Sequence, residues 1–349
     1  MAWLNRREFG AGSLALALGS QALAAADGQA RAARMRIIVD NDFGGDPDSL
    51  FQLAHFGLSP SVSIPLVVGS HYRDFGEADK ILDKAVVSAG KAKELLGLIG
   101  RAEIAPIVAG LQQPLASRGS ARSTAATAAI IREAMRTDTG LPLFYSAGGS
   151  LTDIATAWLA APQIASRLRL VWIGGNEHPD LAPPPPGSIE TEYNFTLDPL
   201  AARTIFNESD IEIWQVPRNA FRQMLFSHAE LEELSRSGPL GKFLSQQIAA
   251  THTRLSANLP KFIFNDGESF MLGDTALVTL TALQSAFQMD TSSSAYSLRP
   301  TPIVNEDGSY TANPHGRLMR VYKQIDTRLT FADMLAKFRA ADRALRAGN

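Results

Sequence analysis

Short apolar runs alternate with longer stretches of helical spacing along this chain. The runs "MRIIVD" (35 to 40), "SIPLVVGS" (63 to 70), "APIVAG" (105 to 110), "PLFYSAG" (142 to 148), "LRLVWIGG" (168 to 175) and "IEIWQVP" (211 to 217) are rich in β-branched and aromatic residues and end in turn formers. Each reads as a strand. Between them, residues 76 to 97, 120 to 137 and 150 to 160 carry apolar residues at helical spacing. Strand and helix in alternation predict an α/β fold with a mostly parallel central sheet flanked by helices. Trp158, Trp172 and Trp214 fall within these patterns, where they are expected in the core. No fixed-period repeat is present. The proline-rich "PDLAPPPPGS" (179 to 188) predicts an extended loop, either a stiff connector or a lid beside a site.

The N-terminus breaks this pattern. Arg6 and Arg7 precede a mildly apolar run and small residues in A-x-A order ending at Ala24 or Ala26. This order predicts an export signal of the twin-arginine type over residues 1–26, and hence a periplasmic or secreted protein. The remainder reads as one α/β domain over 35–347, about 320 residues with room for a substantial core. It holds no second hydrophobic span, so no membrane association is expected after signal removal.

Composition narrows the chemistry. A formal net charge of −2 supplies no global basic field for nucleic acid, so the expected partner is a small molecule, and nothing opposes a homo-oligomer. With no cysteine, thiolate metal sites and a cysteine nucleophile are excluded. Oxygen and nitrogen ligands remain.

In open α/β sheets, ligands bind at the carboxyl ends of the strands. The residues there are "DNDFGGDPD" (40 to 48), Gly69-Ser70-His71, "SAGGSLTD" (146 to 153), "GGN" (174 to 176), and Arg218 with Asn219. The first group sets Asp40, Asp42, Asp46 and Asp48 within nine residues. Unpaired carboxylates this close repel one another and resist burial. Helix capping accounts for one or two; a hard, oxygen-seeking cation such as Ca²⁺ accounts for all four.

These residues also carry a resemblance. "DNDFGGDPDS" resembles the D-x-D-P-G-x-D-D signature of the inosine-uridine nucleoside hydrolase family. In the same order, "GGSLTDIATAWLAAPQIASRLRLVWIGGN" resembles its G-x-L-T-N-I-A segment and following I-M-G-G strand, "ETEYNFTLDPLAARTIF" its A-E-F-N-x-x-x-D-P-x-A-A segment, and "MLGDTALVTLTAL" its late H-D-P-L-A segment. The resemblance implies a nucleoside-hydrolase-like fold and Ca²⁺-dependent cleavage of a nucleoside or related N-riboside to base and ribose. It makes Asp42 both a metal ligand and the base that takes a proton from attacking water. Pro47 splits the closing aspartate pair, so Asp46 and Asp48 share one metal role and one ribose role, with Asp48 favoured for the metal. Asp274 matches the late carboxylate ligand, and Thr152 a backbone-carbonyl ligand, with Leu151 the alternative. Glu192 and Asn194 match sugar-gripping residues; Ser70 and His71 join them as substrate-side candidates by position, and Asp40 is a support.

Two departures stand out. Gly273 occupies the place of a histidine that often precedes the late aspartate, and "PLASRGSARSTAATAAI" replaces the usual H-G-x-x-G-L loop. His71, His252, Tyr72 and Arg218 are then candidates, by chemistry alone, to activate the leaving group. A ribosyl-ligand binding protein with impaired catalysis is the alternative that Gly273 raises. A haloacid-dehalogenase-type phosphatase also begins with D-x-D after a strand, but Gly44 replaces its usual Thr or Val and the later motifs go unexplained.

Overall fold

Every residue of the first strand, β1 (Met35–Asn41), is buried. Its side chains divide by the two-residue period of a strand: Met35, Ile37 and Val39 enter one apolar cluster, and Ile38 enters another on the opposite face. A strand apolar on both faces needs cover on both, which a parallel sheet between helix layers provides. The chain is described by a computed structural model for residues 32–73, 82–120, 123–186, 191–258, 267–285 and 289–347. The export signal expected at 1–26 lies outside the described residues, as do parts of the stretches read at 76 to 97, 120 to 137 and 179 to 188.

The strands following β1 are β2 (Val62–Gly69), β3 (Ile107–Ala109), β4 (Leu143–Ala147), β5 (Leu168–Ile173), β6 (Glu212–Val216), β7 (Leu225–Ser227), β8 (Ser269–Met271), β9 (Ala295–Pro300), β10 (Ile303–Val304), β11 (Tyr310–Thr311) and β12 (Leu318–Gln324). The helices are α1 (Asp48–Gly57), α2 (Lys84–Leu98), α3 (Ala125–Ala134), α4 (Thr152–Ala160), α5 (Tyr193–Leu197), α6 (Pro199–Glu208), α7 (Arg218–Phe221), α8 (His228–Ser235), α9 (Pro239–Asn258), α10 (Ala276–Thr281) and α11 (Thr327–Ala347). The main sheet runs β3-β2-β1-β4-β5-β6-β12-β9, with β9 its antiparallel strand. Residues of α1, α2 and α8 to α11 share the cluster of Ile37 and Val39; α3, α4 and α6 share that of Ile38. The six expected strands and three expected helices are all present, with ends shifted by up to five residues, except that the helix expected from 76 begins at Lys84. Trp172 and Trp214 are buried, and Trp158 packs half-buried against the second cluster. Among the described residues no helix is long and apolar enough to cross a membrane.

The order reverses beside β1: the chain winds outward through β2 and β3, then returns to start β4 on the other side. This switch point opens a crevice at the strands' carboxyl ends. Helix α1 leaves it directly and is buried at all ten positions. Helix α2 packs so closely on the end of β2 that a Cβ at Gly69 would lie 2.3 Å from the Ala89 backbone nitrogen. Gly69→Ala is therefore expected to lower the unfolding free energy by roughly 1–3 kcal/mol through overpacking. Urea titration measures this, and an unchanged midpoint would contradict the packing.

Candidate active site

At the switch point, Asp42 follows the last residue of β1 and Gly149 follows β4; a Cβ on Gly149 would stand 3.6 Å from the Asp42 carboxyl carbon. Asp48 is the first residue of α1, and Asp274 lies in the single turn Gly273–Thr275 before α10. Direct bonds tie these together: Asp274 donates its backbone N–H to Asp48 Oδ2 at 3.1 Å, and Asn41 Nδ2 donates to Asp274 Oδ2 at 2.8 Å. Asn41 Nδ2 also reaches Gln52 on α1 at 2.9 Å, while its Oδ1 accepts from the Asp42 amide at 2.8 Å. Capping accounts for Asp46 alone: Pro47 is the N-cap residue of α1 and makes no side-chain bond, while Asp46 Oδ1 accepts the Asp48 amide at 3.4 Å.

Asp42, Asp48 and Asp274 are buried. Burial, then the charges of Asp274 and Asp46, push the Asp42 carboxyl well above the usual carboxylate range, and the same causes act on Asp48. Burial raises Asp274 to about 8 despite the Asn41 bond. Asp46 differs, being exposed to solvent at the mouth. The protein around it raises its carboxyl, while the Asp48 amide and the Arg254 charge oppose that rise. Arg254, from α9, donates to the Gly45 carbonyl at 3.1 Å.

The chemistry of these donors suits a hard divalent cation: they are carboxylate oxygens, and among the described residues no Lys, Arg or His pairs with Asp42, Asp48 or Asp274. Their spacing is looser than a closed cage, since among the described residues no three His, Cys, Asp or Glu are gathered as tightly as a bound metal would draw them. The fit is therefore one of charge and ligand type.

The substrate-side candidates divide. Glu192 caps α5, its carboxylate accepting from the amides of Asn194 (2.9 Å), Phe195 (3.0 Å) and Gly175 (2.7 Å). Asn194 spends its amide nitrogen on the carbonyls of Gly148 and Ile173, each at 2.9 Å. That fixes the side chain across the ends of β4 and β5 and leaves Oδ1 as its acceptor. Ser70 and His71 are instead engaged within the protein. Ser70 donates to Asp40 Oδ1 at 2.5 Å, and His71 Nε2 lies 2.9 Å from Thr152 Oγ1. Burial and the charges of Lys84 and Arg73 lower His71 to about 4, a neutral ring at ordinary pH. Thr152 donates its hydroxyl to Asp198 at 2.7 Å, and its carbonyl, in the first turn of α4, accepts from Thr156 Oγ1 at 2.8 Å. The Leu151 carbonyl accepts from Ala155.

Asp40, expected as a support, has both oxygens occupied, by Ser70 and Tyr145. Burial raises it to about 6, against both bonds. Of the leaving-group candidates, Arg218 forms a two-bond ion pair with Glu177, both at 2.7 Å, His252 packs between His228 and Phe270, and Tyr72 is buried. A Cβ at Gly273 would lie 3.5 Å from Asp48 Oδ2 and 3.4 Å from Phe221, so that position does border the acidic cluster. Sequence reasoning gave no role to Asn41, Asn176, Tyr145 or Asp198, although Asn176 stands in the strand-end "GGN" and Asp198 in the matched "ETEYNFTLDPLAARTIF". Asn41 also had a visible signal, standing between two aspartates at the end of a buried strand.

A doubly wound sheet with an acidic crevice at its switch point belongs to the α/β proteins that bind small ligands at the carboxyl ends of their strands. The model of the inosine-uridine preferring nucleoside hydrolase family matches residues 37–298, and the chain belongs to that family. Among curated proteins, none matches the chain. Similar solved structures include a plant nucleoside hydrolase, with a TM-score of 0.65 at 19% identity over 88% of this chain and 99% of that one. A purine-preferring ribonucleoside hydrolase from Gardnerella vaginalis gives 0.64 at 16%, over 88% and 99% of the two chains. An inosine-uridine preferring nucleoside hydrolase from Bacillus anthracis gives 0.59 at 17%, over 87% and 99%. At these identities the likeness is one of fold.

The raised carboxyls set a pH dependence. Asp40 near 6 and Asp274 near 8 hold protons in the folded chain that an unfolded carboxyl releases near 4. The folded state then binds more protons across that window, so their contribution is full below about pH 4 and is lost as pH rises through about 6 and about 8. With a chelator present, the melting temperature of Asp274→Asn should gain on the parent as pH rises from about 5 to about 8. A constant difference would count against this charge reading.

Proposed function

We propose that this nucleoside hydrolase is an exported enzyme that cleaves the N-glycosidic bond of a ribonucleoside or related N-riboside with the help of bound Ca²⁺. The observation that carries the reading is the meeting of buried Asp42, Asp48 and Asp274, without a cationic partner among the described residues, at the switch point of the sheet. Arg6 and Arg7 ahead of the apolar N-terminal run support export to the periplasm or beyond.

Asp42, Asp48 and Asp274 would hold the cation, with Asp46 and a carbonyl from Thr152 or Leu151 as further oxygen donors. When bound, Ca²⁺ supplies charge that acidifies an attacking water and orients vicinal hydroxyls. Asp42 takes the proton as the water oxygen bonds to the anomeric carbon, and the bonding pair of the broken C–N bond leaves with the base. Positive charge develops on the sugar in between, and the surrounding carboxylates favour it. Asn194 Oδ1 accepts from a sugar hydroxyl. Glu192 holds the start of α5 around it, and Asp46 at the mouth is suited to the ribose hydroxyls. Ser70 and His71 act on the site by fixing Asp40 and Thr152.

Gly273 favours a second reading, a ribosyl-ligand binding protein, because no side chain there can protonate a departing base. Incubation with a panel of ribonucleosides, assayed for free ribose and base, separates the two: release supports the enzyme, and binding without turnover supports the binder. Asp42→Asn should lower kcat by roughly a thousandfold, about 4 kcal/mol of barrier, in that assay. Asn194→Ala should weaken ribosyl binding and retain Ca²⁺, as read by metal analysis; loss of the metal would remove Asn194 from the sugar side.

Without an acid at position 273, leaving-group quality should control the rate. p-Nitrophenyl riboside should turn over at least tenfold faster than uridine, a barrier difference of about 1.4 kcal/mol per tenfold. Equal rates, with chemistry shown to be the slow step, would mean that another residue supplies the proton.

A further inference from the structure

The family match ends at residue 298, yet the hairpin of β10 and β11 beyond it reaches back to the sugar side of the crevice. Two separate sets of bonds make the connection. In the first, Asn176, just past β5, is held at both ends. Its carbonyl accepts from Tyr310 Oη at 3.0 Å, and its Nδ2 donates to the Gly308 carbonyl at 3.2 Å. Asn176 Oδ1 in turn accepts the backbone N–H of Glu192 at 2.8 Å. In the second, Thr191 Oγ1 donates to the Asp307 carbonyl at 2.9 Å.

The hairpin is shaped for these contacts. Gly308 takes φ +78° at the tip, and a Cβ there would lie 2.7 Å from Thr191 Cγ2 and 3.2 Å from Asn176 Nδ2. The Tyr310 ring stacks on His178 with centroids 4.3 Å apart and planes at 14°, and its hydroxyl accepts from Gln215 Nε2 at 2.9 Å. Gln215 closes the net by donating to the Gly174 carbonyl and meeting His178 Nε2 through Oε1, each at 2.9 Å. The loop from Gly174 to His178 is thus fixed from the hairpin side, and Gly175 of that loop donates to the Glu192 carboxylate.

We propose that the β10–β11 hairpin is a positioning element for sugar recognition: Tyr310 and the Gly308 carbonyl, acting through Asn176, hold Glu192 and thereby set Asn194 for the sugar. The inference rests on the reading of Asn194 as a sugar-binding residue. Tyr310 touches no reacting atom and acts through the loop. Its loss should therefore weaken the grip on the ribosyl group more than it slows bond cleavage.

The test uses the full-length protein and p-nitrophenyl riboside. Tyr310→Phe retains the ring stack and removes one hydroxyl. It should raise KM about tenfold, keep kcat within about twofold, and leave the melting temperature close to the parent's. If the compound is bound without turnover, its Kd replaces KM. Asn176→Ala should give a rise of similar size, and the double variant should be no worse than Asn176→Ala alone, because both act along one path. An unchanged KM, a fall in kcat alone, or fully additive effects would overturn the proposal. Asn194→Ala serves as the control. If it leaves KM unchanged, the sugar reading itself fails; if it raises KM while Tyr310→Phe does not, only the hairpin's role fails.

Discussion

Like charge held out of water is the constraint on which this molecule turns. Asp42 and Asp48 come from one short segment and Asp274 from a distant one, and they meet where burial alone would drive each toward protonation. Keeping them together requires rigid placement. Asn41 bonds Asp274, the Asp274 amide bonds Asp48, and Asp48 opens a helix buried along its whole length. The helix start offers some compensation, since its dipole favours a nearby carboxylate. The remainder is a site with a standing preference for positive charge, whether on a metal ion or on a sugar becoming cationic.

A second layer of acids surrounds the first and is kept apart by its own donors. Ser70 and Tyr145 occupy both oxygens of Asp40. Asp198 accepts from the amides of Leu115 and Ala201 and from Thr152. Glu192 is satisfied by three amides. Satisfied carboxylates of this kind are positional: each pins a backbone segment that carries a residue of the crevice. Asp48 and Asp274 also accept a donor from the protein, so it is the fuller set of donors on Asp40, Asp198 and Glu192 that marks them as scaffold, and residue type alone does not reveal it.

The parallel sheet was legible because its strands are apolar on both faces, and a run such as "RIIVD" permits little else. The acidic cluster was legible because like charges so close in sequence demand an explanation, and Asp274 was reached through a motif. The roles of Ser70 and His71 were less so. Their place after β2 marks them as lining residues, yet their polar atoms turn to Asp40 and Thr152, a choice made by tertiary neighbours. The partnership of Asn176 and Tyr310 was invisible for the same reason: "GGN" marks a strand end and one tyrosine in a late hairpin carries no pattern, while their joint meaning arises across more than a hundred residues of chain. The later strands and helices are short or weakly patterned, and packing defines them more than periodicity does.

Gly273 shows how such a site can divide its labour. The position borders Asp48, so a ring there would sit against the acidic cluster, but Phe221 is its other neighbour and a glycine contributes no proton. Two of the buried histidines do not replace it. His71 and His178 are each held near 4 by burial, and their Nε2 atoms bond Thr152 and Gln215. On the function proposed above, a crevice of this design would act on the sugar half of the reaction, where carboxylates favour developing positive charge, and offer little to the departing half. Selectivity among ribosides would then follow from how well the departing group bears negative charge, with the protein's own discrimination concentrated on the ribosyl group that all of them share.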